Sequence, residues 1–293
     1  MSFKNTLLPT QTMIQSRGRL LDLSTPVVMG ILNATPDSFY NKGRESSTDA
    51  LLKIAEKMIS EGAAILDIGG ASTRPNAVTI SVDEELKRVI PVIAAIRQRF
   101  PDVWLSADTF HSKVAKEAYN AGVCIINDVS SGRFDNDMLS TVATLKVPYI
   151  AMHMQGDPQT MQKNPQYEDV VTEVRNTLMN TCKQCAEAGI TDIIIDPGFG
   201  FGKTVEHNFG LLNNLGTFRI LSRPILAGLS RKSMICKALD VKPEEALNGS
   251  TALHMIALQQ GAHILRVHDV KEAVEVVKLY SHLSPAFSKG EEE

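Results

Sequence analysis

Short apolar runs alternate with amphipathic segments eight times along this chain, and few folds accommodate that pattern. The runs occupy residues 27–32, 64–69, 103–108, 123–128, 148–153, 192–196, 224–228 and 263–267. In the segments between them, apolar residues recur every three or four positions, as on the buried face of a helix. Continuous apolar runs are typical of strands buried on both faces, so the alternation predicts a parallel sheet covered by helices.

Eight such units favour an α/β protein with a (β/α)8 TIM barrel. A doubly wound open sheet is the alternative, but GILNATPD (30–37) lacks the GxGxxG turn that such a sheet would need. No linker rich in Pro or Gly divides the chain, so we predict a single barrel domain over 12–285. Residues 1–11 are then an N-terminal extension, and 286–293 a disordered acidic tail. Within the domain, 12–23 predicts a short hairpin that caps the barrel bottom.

Composition and charge narrow the function classes. The 293 residues carry a net charge of −3, which gives no indication of nucleic-acid or membrane-surface binding. No apolar run approaches the roughly 20 residues of a spanning helix, and the first 13 residues lack the apolar core of a secretory signal. We therefore expect a cytoplasmic protein.

Cys182 and Cys185 form a CxxC pair, which is compatible with redox chemistry or half a metal site. The pair lies near the C-terminal end of a predicted helix over 168–189, whereas a redox CxxC usually begins a helix. We expect two reduced thiols.

Polar or ionisable residues follow all eight predicted strands. They are Asn33, Asp67, Asp108, Asn127 with Asp128, His153, Asp196, Ser230 with Arg231 and Lys232, and Arg266 with His268 and Asp269. The C-terminal ends of the strands share one rim of a TIM barrel, and that rim holds the active site. Chains often turn polar at strand ends, but this tendency does not explain why acids, amides and bases should all converge there. The sequence therefore predicts a functional site at this rim.

Asp108, Asn127, Asp196 and Lys232 suit a planar heterocycle with N–H donors. A carboxylate can accept two parallel hydrogen bonds from an amino-pyrimidine edge, and a lysine can donate to a ring carbonyl or nitrogen. The alternative is a set of internal ion pairs.

A second group has the side chains of an anion site: Asn33, Thr73, Arg74, Arg266 and His268. Phosphate or diphosphate is the anion that two arginines and a histidine fit best. A Mg²⁺ ion could bridge that anion to the Asn33 oxygen, since Mg²⁺ commonly binds few protein ligands plus phosphate. The alternative is that Arg266 pairs with Asp269 or another acid.

The segment DPGFGFGKT (196–204) resembles a phosphate-binding loop without satisfying its pattern. GxxxxGK[ST] requires glycine where Pro197 stands, and GxGxxG fails at Lys203. We expect these glycines to let the backbone pass close to a ligand. Phe199 and Phe201 could line an aromatic binding slot. Phe199 could equally belong to the hydrophobic core.

Seven segments, taken together, resemble the dihydropteroate synthase family. They are LNATPDSF (32–39), DIGGASTRP (67–75), IINDVSSG (125–132), MHMQGDPQTMQKNPQY (152–167), DPGFGFGKTVEHN (196–208), GLSRKS (228–233) and RVHDV (266–270). Their order and spacing match from about residue 12 to 283. DPGFGFGK and SRKS in company with STRP are highly specific, whereas RVHD or TPDSF alone would be weaker.

The resemblance implies a TIM-barrel transferase of folate biosynthesis, a sulfonamide target. Such an enzyme condenses 4-aminobenzoate with 6-hydroxymethyl-7,8-dihydropterin diphosphate, giving 7,8-dihydropteroate and diphosphate. The implied mechanism is Mg²⁺-assisted loss of diphosphate and attack of the arylamine on a pterin-stabilised cation. The implied partners are these small molecules and a second copy of the chain in a homodimer.

The resemblance also assigns roles to residues of this sequence. The implied pterin-binding residues are Asp108, Asn127, Met152, Asp196 and Lys232. The implied diphosphate-binding residues are Asn33, Thr73, Arg266 and His268, with Asn33 as the Mg²⁺ ligand. The implied aminobenzoate-binding residues are Thr73, Arg74, Pro75, Phe201, Lys232 and Ser233. The implied catalytic residues are Asn33, Asp108, Lys232, Arg266 and His268.

Two positions depart from the family pattern, and two other functions compete. Ala71 stands where the family commonly has glutamate, and Asn41 where its first loop usually carries an acid.

A pterin-binding methyltransferase domain would use a similar barrel, but it should lack the GLSRKS and STRP pair. A non-catalytic pterin-binding paralogue would be supported only by the altered first loop.

Overall fold

The apolar runs of the sequence form strands, and a short hairpin precedes them. The computed structural model describes residues 10–34, 47–71, 80–157, 160–161 and 164–283. In chain order the strands are β1 (Met13–Ser16), β2 (Arg19–Asp22), β3 (Val27–Asn33), β4 (Ile65–Gly69), β5 (Trp104–Asp108), β6 (Ile125–Asp128), β7 (Tyr149–Met152), β8 (Ile193–Asp196), β9 (Leu226–Ala227) and β10 (Ile264–Val267).

The strands β3 to β10 make one parallel sheet that closes on itself. Their order is β8-β7-β6-β5-β4-β3-β10-β9, and Ile195 of β8 bridges in parallel to Ile225, next to β9. The Ile195 amide also donates to the Pro224 carbonyl at 2.9 Å. The predicted TIM barrel is confirmed.

Helices cover the outside of the barrel. They are α1 (Ser47–Ser60), α2 (Val82–Arg99), α3 (Ser112–Ala121), α4 (Met138–Leu145), α5 (Val170–Glu187), α6 (Val205–Asn213), α7 (Ser233–Leu239), α8 (Leu247–Gln259) and α9 (Val270–Leu283). Both α7 and α8 lie between β9 and β10. None of these helices, within the described ranges, is long and apolar enough to cross a membrane.

The helix predicted over 168–189 is α5 (Val170–Glu187), and it begins at Val170 because Asp169 caps its N-terminus. Asp169 accepts hydrogen bonds from the Val171 and Thr172 amides, which satisfies two free donors of the first turn. Cys182 and Cys185 are free thiols near the end of this helix, as predicted. Burial raises the pKa of the Cys182 thiol to about 11, so the thiolate needed for redox chemistry is disfavoured.

An apolar layer, here called the floor, fills the bottom of the barrel. It contains one inward-facing residue from each strand: Met29, Ile65, Trp104, Ile125, Ile150, Ile194, Leu226 and Ile264. Ile14 of β1 and Leu23, just after β2, are fully buried against this layer. The Gln15 amide donates to the Asp192 carboxylate at 2.8 Å, which fastens the hairpin to the start of β8. The predicted cap of the barrel bottom is confirmed.

We predict that Ile14→Ala destabilises the protein by about 2–5 kcal/mol, because it leaves a cavity beneath the floor. Leu20→Ala in the same hairpin is the matched control, since Leu20 is 64% exposed and Ile14 is 0% exposed. Urea denaturation followed by circular dichroism measures both free energies of unfolding. Equal losses in the two variants would show that the hairpin does not seal the barrel.

Candidate active site

The inward-facing positions above the floor are largely polar. Side chains of a strand alternate between its two faces, so counting two residues along from each floor residue gives the next inward layer. That layer is Ile31, Asp67, Ser106, Asn127, Met152, Asp196, Gly228 and Arg266. Two residues further along lie Asn33, Gly69, Asp108, Val129, Met154, Gly198, Ser230 and His268. Most of the predicted site residues therefore share the barrel interior.

Arg266 lies at the centre of a buried hydrogen-bond network. Its Nε donates to Asp67 Oδ2 at 2.6 Å, and its Nη2 donates to Asp108 Oδ2 at 2.6 Å. Asn127 Nδ2 donates to the same Asp67 oxygen at 2.9 Å. One guanidinium thus bridges two carboxylates from neighbouring strands, and Asp67 also fixes the orientation of the Asn127 amide.

Burial shifts the pKa values of the charged groups in this network, and the groups also shift one another. Burial raises the pKa of Asp108 to about 7, while the Arg266 guanidinium opposes that shift. Burial also works against the charge of Arg266, but Asp67 and Asp108 together raise its pKa above the ordinary value. Arg266 therefore stays charged, whereas Asp108 can titrate near neutral pH.

A cavity opens beside the network at the C-terminal ends of the strands. Its lining residues are Asn127, Val129, Met152, Asp196, Phe199, Phe201, Gly228, Lys232 and Arg266. The Gly198 amide donates to Asp196 Oδ1 at 2.7 Å, and burial raises the pKa of this carboxyl. Four of the five predicted pterin-binding residues, Asn127, Met152, Asp196 and Lys232, thus line one cavity beside Arg266, the partner of Asp108.

Lys232 and Phe201 form one wall of that cavity. The Lys232 Nζ lies 4.3 Å from the centroid of the Phe201 ring, within the range of a cation–π contact. Burial and the neighbouring Arg266 lower the pKa of Lys232 to about 8. Phe199 is fully buried yet also lines the cavity, so the structure gives it both roles that the sequence left open.

Arg266, which the sequence places among the anion-binding residues, contacts two acids in the structure. An internal ion pair, the alternative left open above, is what the structure contains, although with Asp67 and Asp108. Asp269 instead forms a two-point ion pair with Arg231. Arg266 therefore lies with the heterocycle group, and its contact with diphosphate stays a prediction.

The remaining predicted residues lie around the rim or outside the described residues. Asn33 is exposed at the end of β3 and is in register with Gly69, which is in register with Asp108. His268 Nδ1 lies 3.1 Å from Ser230 Oγ, and Ser233 is the exposed first residue of α7. Three predicted aminobenzoate residues and one departing position fall outside the described ranges: Thr73, Arg74, Pro75 and Asn41.

Sequence reasoning underrated two residues. Asp67 appeared only as a polar strand end, yet it is fully buried and contacts both Arg266 and Asn127. Its position two residues after a floor residue was a usable signal. Lys203 appeared only as the residue that spoils a glycine motif, yet it is 3% exposed and makes three polar contacts. No local pattern distinguishes it from a surface lysine.

Removing the central charge should be costly, and we predict that Arg266→Ala lowers the free energy of unfolding by about 3–5 kcal/mol. The loss leaves two buried carboxylates without a cation. Arg231→Ala is the control, because its partner Asp269 is part-exposed and can be resolvated, and its loss should be about 1 kcal/mol. Denaturation at constant pH measures both, and comparable losses would contradict the central role of Arg266.

Comparison with known proteins agrees with this geometry. A family model described as pterin binding enzyme matches residues 29–268. The dihydropteroate synthase of Escherichia coli K12 is 49% identical over 266 residues, covering 90% of this chain and 94% of that protein.

Two solved structures are similar over nearly their whole length. The Yersinia pestis dihydropteroate synthase with a sulfonamide drug has a TM-score of 0.87 and 45% identity, covering 92% of this chain and 98% of that one. The Xanthomonas albilineans enzyme with 4-aminobenzoic acid has a TM-score of 0.87 and 42% identity, covering 93% and 98%. This chain therefore belongs to the dihydropteroate synthase family of pterin-binding transferases.

Proposed function

We propose that this chain condenses 4-aminobenzoate with 6-hydroxymethyl-7,8-dihydropterin diphosphate, giving 7,8-dihydropteroate and diphosphate. The observation that carries the proposal is the cavity in which Asn127, Asp196 and Lys232 lie beside the Arg266–Asp108 ion pair. Relatives solved with 4-aminobenzoic acid and with 7,8-dihydropteroate support the same chemistry.

The cavity offers acceptors and donors that match a pterin ring. Asp196 keeps an oxygen for the ring because the other oxygen accepts the Gly198 amide. The Asn127 amide nitrogen donates one of its two hydrogens to Asp67, which orients the amide, and its oxygen can accept a ring N–H. Lys232, which lines the same cavity, supplies a cation for a ring carbonyl or nitrogen. Together these groups would read the hydrogen-bonding edge of the heterocycle and hold the ring in one orientation.

The leaving group would be stabilised at the rim. The bond between the pterin methylene carbon and the diphosphate oxygen breaks, and its electron pair leaves with the diphosphate. His268 and Arg266 are the side chains proposed to stabilise that negative charge. The carbocation left behind is delocalised into the pterin ring, where the ionised Asp108 would stabilise it. The arylamine nitrogen then forms the new C–N bond and releases a proton.

Asn33 fits the proposed Mg²⁺ site only with help from substrate oxygens. Among the described residues, no group of three or more His, Cys, Asp or Glu side chains could hold a metal ion. The exposed amide oxygen of Asn33 would therefore be a single protein ligand, as is common when phosphate oxygens complete the Mg²⁺ shell. Mg²⁺ bound there would neutralise charge on the departing diphosphate.

The second substrate would lie against the Phe201–Lys232 wall. Phe201 offers an aromatic face to the aminobenzoate ring, and Ser233 follows Lys232 at the start of α7. Thr73, Arg74 and Pro75 stay predicted contacts and lie outside the described residues. This slot is also where a sulfonamide, as a 4-aminobenzoate analogue, would compete.

Homodimer formation and a cytoplasmic location stay predictions of the family resemblance.

The proposed function predicts that diphosphate release depends on both substrates. Purified protein with pterin diphosphate and Mg²⁺ should release diphosphate and form 7,8-dihydropteroate when 4-aminobenzoate is added. Reactions without the amine or without the pterin are the controls. Release that never depends on 4-aminobenzoate, with no pteroate formed, would refute the proposal and favour a different pterin enzyme.

The raised pKa of Asp108 predicts that catalysis depends on pH. The carboxylate must be ionised to stabilise the cation, and its pKa is raised to about 7. We therefore expect kcat/KM for the pterin diphosphate to fall as the pH drops through about 7, because the protonated form accumulates below it. The measurement is a pH profile of initial rates.

Asp108→Asn is the control for that profile. The variant cannot ionise, so its residual activity should lose the inflection near pH 7 while any titration of the substrate phosphates remains. An inflection of equal size in the variant would assign the titration to another group.

A further inference from the structure

A buried lysine holds the glycine-rich loop after β8. The Lys203 Nζ lies 2.8 Å from the Gly198 carbonyl oxygen, 3.0 Å from the Phe201 carbonyl oxygen and 3.0 Å from His153 Nδ1. Burial lowers the pKa of Lys203 to about 7, and in its ammonium form each of the three N–H donors faces one acceptor. Burial lowers the pKa of His153 to about 2, so the imidazole is neutral, and Nδ1 accepts in the tautomer that faces the ammonium.

The backbone of the loop that Lys203 holds lies so close to a neighbouring segment that no side chain fits between them. Side-chain packing alone therefore does not fix the position of this loop. Gly198 has φ +70°, and a Cβ there would lie 1.9 Å from the His153 carbonyl oxygen. Gly202 has φ +61°, and a Cβ there would lie 2.6 Å from the Gln155 carbonyl oxygen. The loop thus lies directly on the chain that follows β7, where only glycine fits. Polar contacts also hold the loop: Lys203 binds two of its carbonyls, and Asp196, Asn208 and Tyr167 each bind another of its backbone groups.

The consequence reaches the cavity wall through Phe201. The Phe201 carbonyl is bound by Lys203, and its amide donates to the Gly198 carbonyl at 3.1 Å. Both backbone groups of Phe201 are therefore fixed, which sets where its ring meets Lys232.

We propose that Lys203 is a positioning residue that, together with His153, holds the Phe201 ring against Lys232 and so shapes the slot for the arylamine. Lys203 itself does not line the cavity. This inference rests on the proposed function. It adds that Lys203, which does not contact 4-aminobenzoate, determines how selectively the slot binds that substrate.

Lys203→Met tests this role, because methionine fills similar space without any donor. We expect the KM for 4-aminobenzoate to rise about tenfold, which corresponds to one lost buried hydrogen bond. The KM for pterin diphosphate should rise less than the KM for 4-aminobenzoate, because Asp67 holds Asn127 independently of this loop. Lys183→Met on α5 is the matched control, since Lys183 is 74% exposed.

A double-mutant cycle tests whether Lys203 acts through Phe201. If it does, Lys203→Met should add no further increase in KM when Phe201 is already changed by Phe201→Ala. Lys203→Gln keeps two amide donors, should raise the KM less than Lys203→Met, and replaces it in the cycle if the methionine variant does not fold.

The outcomes separate the two proposals. An unchanged KM for 4-aminobenzoate, an equal rise for both substrates, or additive effects in the cycle would overturn the positioning role, given an active wild-type protein. A wild-type protein that forms no dihydropteroate would refute the proposed function.

Discussion

The closed parallel sheet is the constraint on which the rest of this structure depends. Because eight strands close around one interior, every second side chain of each strand is directed into the same small volume. The floor is entirely apolar, and the charged residues and amides of that set lie in the two layers above it. Asp67 and Arg266 are far apart in the sequence, yet their side-chain atoms are 2.6 Å apart.

Burying charges in this interior is tolerable only because they are paired. The ion pairs of Arg266 with Asp67 and Asp108 offset the loss of hydration, and an unpaired charge at this position would have no such compensation. The same burial raises the pKa of Asp108 and lowers that of Lys232 towards neutrality. Groups with such pKa values respond strongly to a charged intermediate, because little water is present to screen them.

The sequence predicted the barrel, the hairpin and the rim because each depends on local periodicity or on strand ends. It did not show that Asp67 and Asp108 face Arg266, because side-chain type alone cannot show which acids lie beside a guanidinium. Lys203 escaped notice for a similar reason: its three acceptors come from the loop around it and from His153, which lies 50 residues earlier. Contacts between distant residues have no signature in either segment.

The sequence by itself determined the alternation of strands and helices, the residues at each strand end and, through its motifs, the family. Those features are local, since periodicity and residue type are written along the chain. Only the tertiary structure decided that Asp67 joins Arg266 to Asn127, and that a buried lysine holds the aromatic wall. Those contacts depend on the register and closure of the strands, which fix distances between segments that no short stretch of sequence encodes.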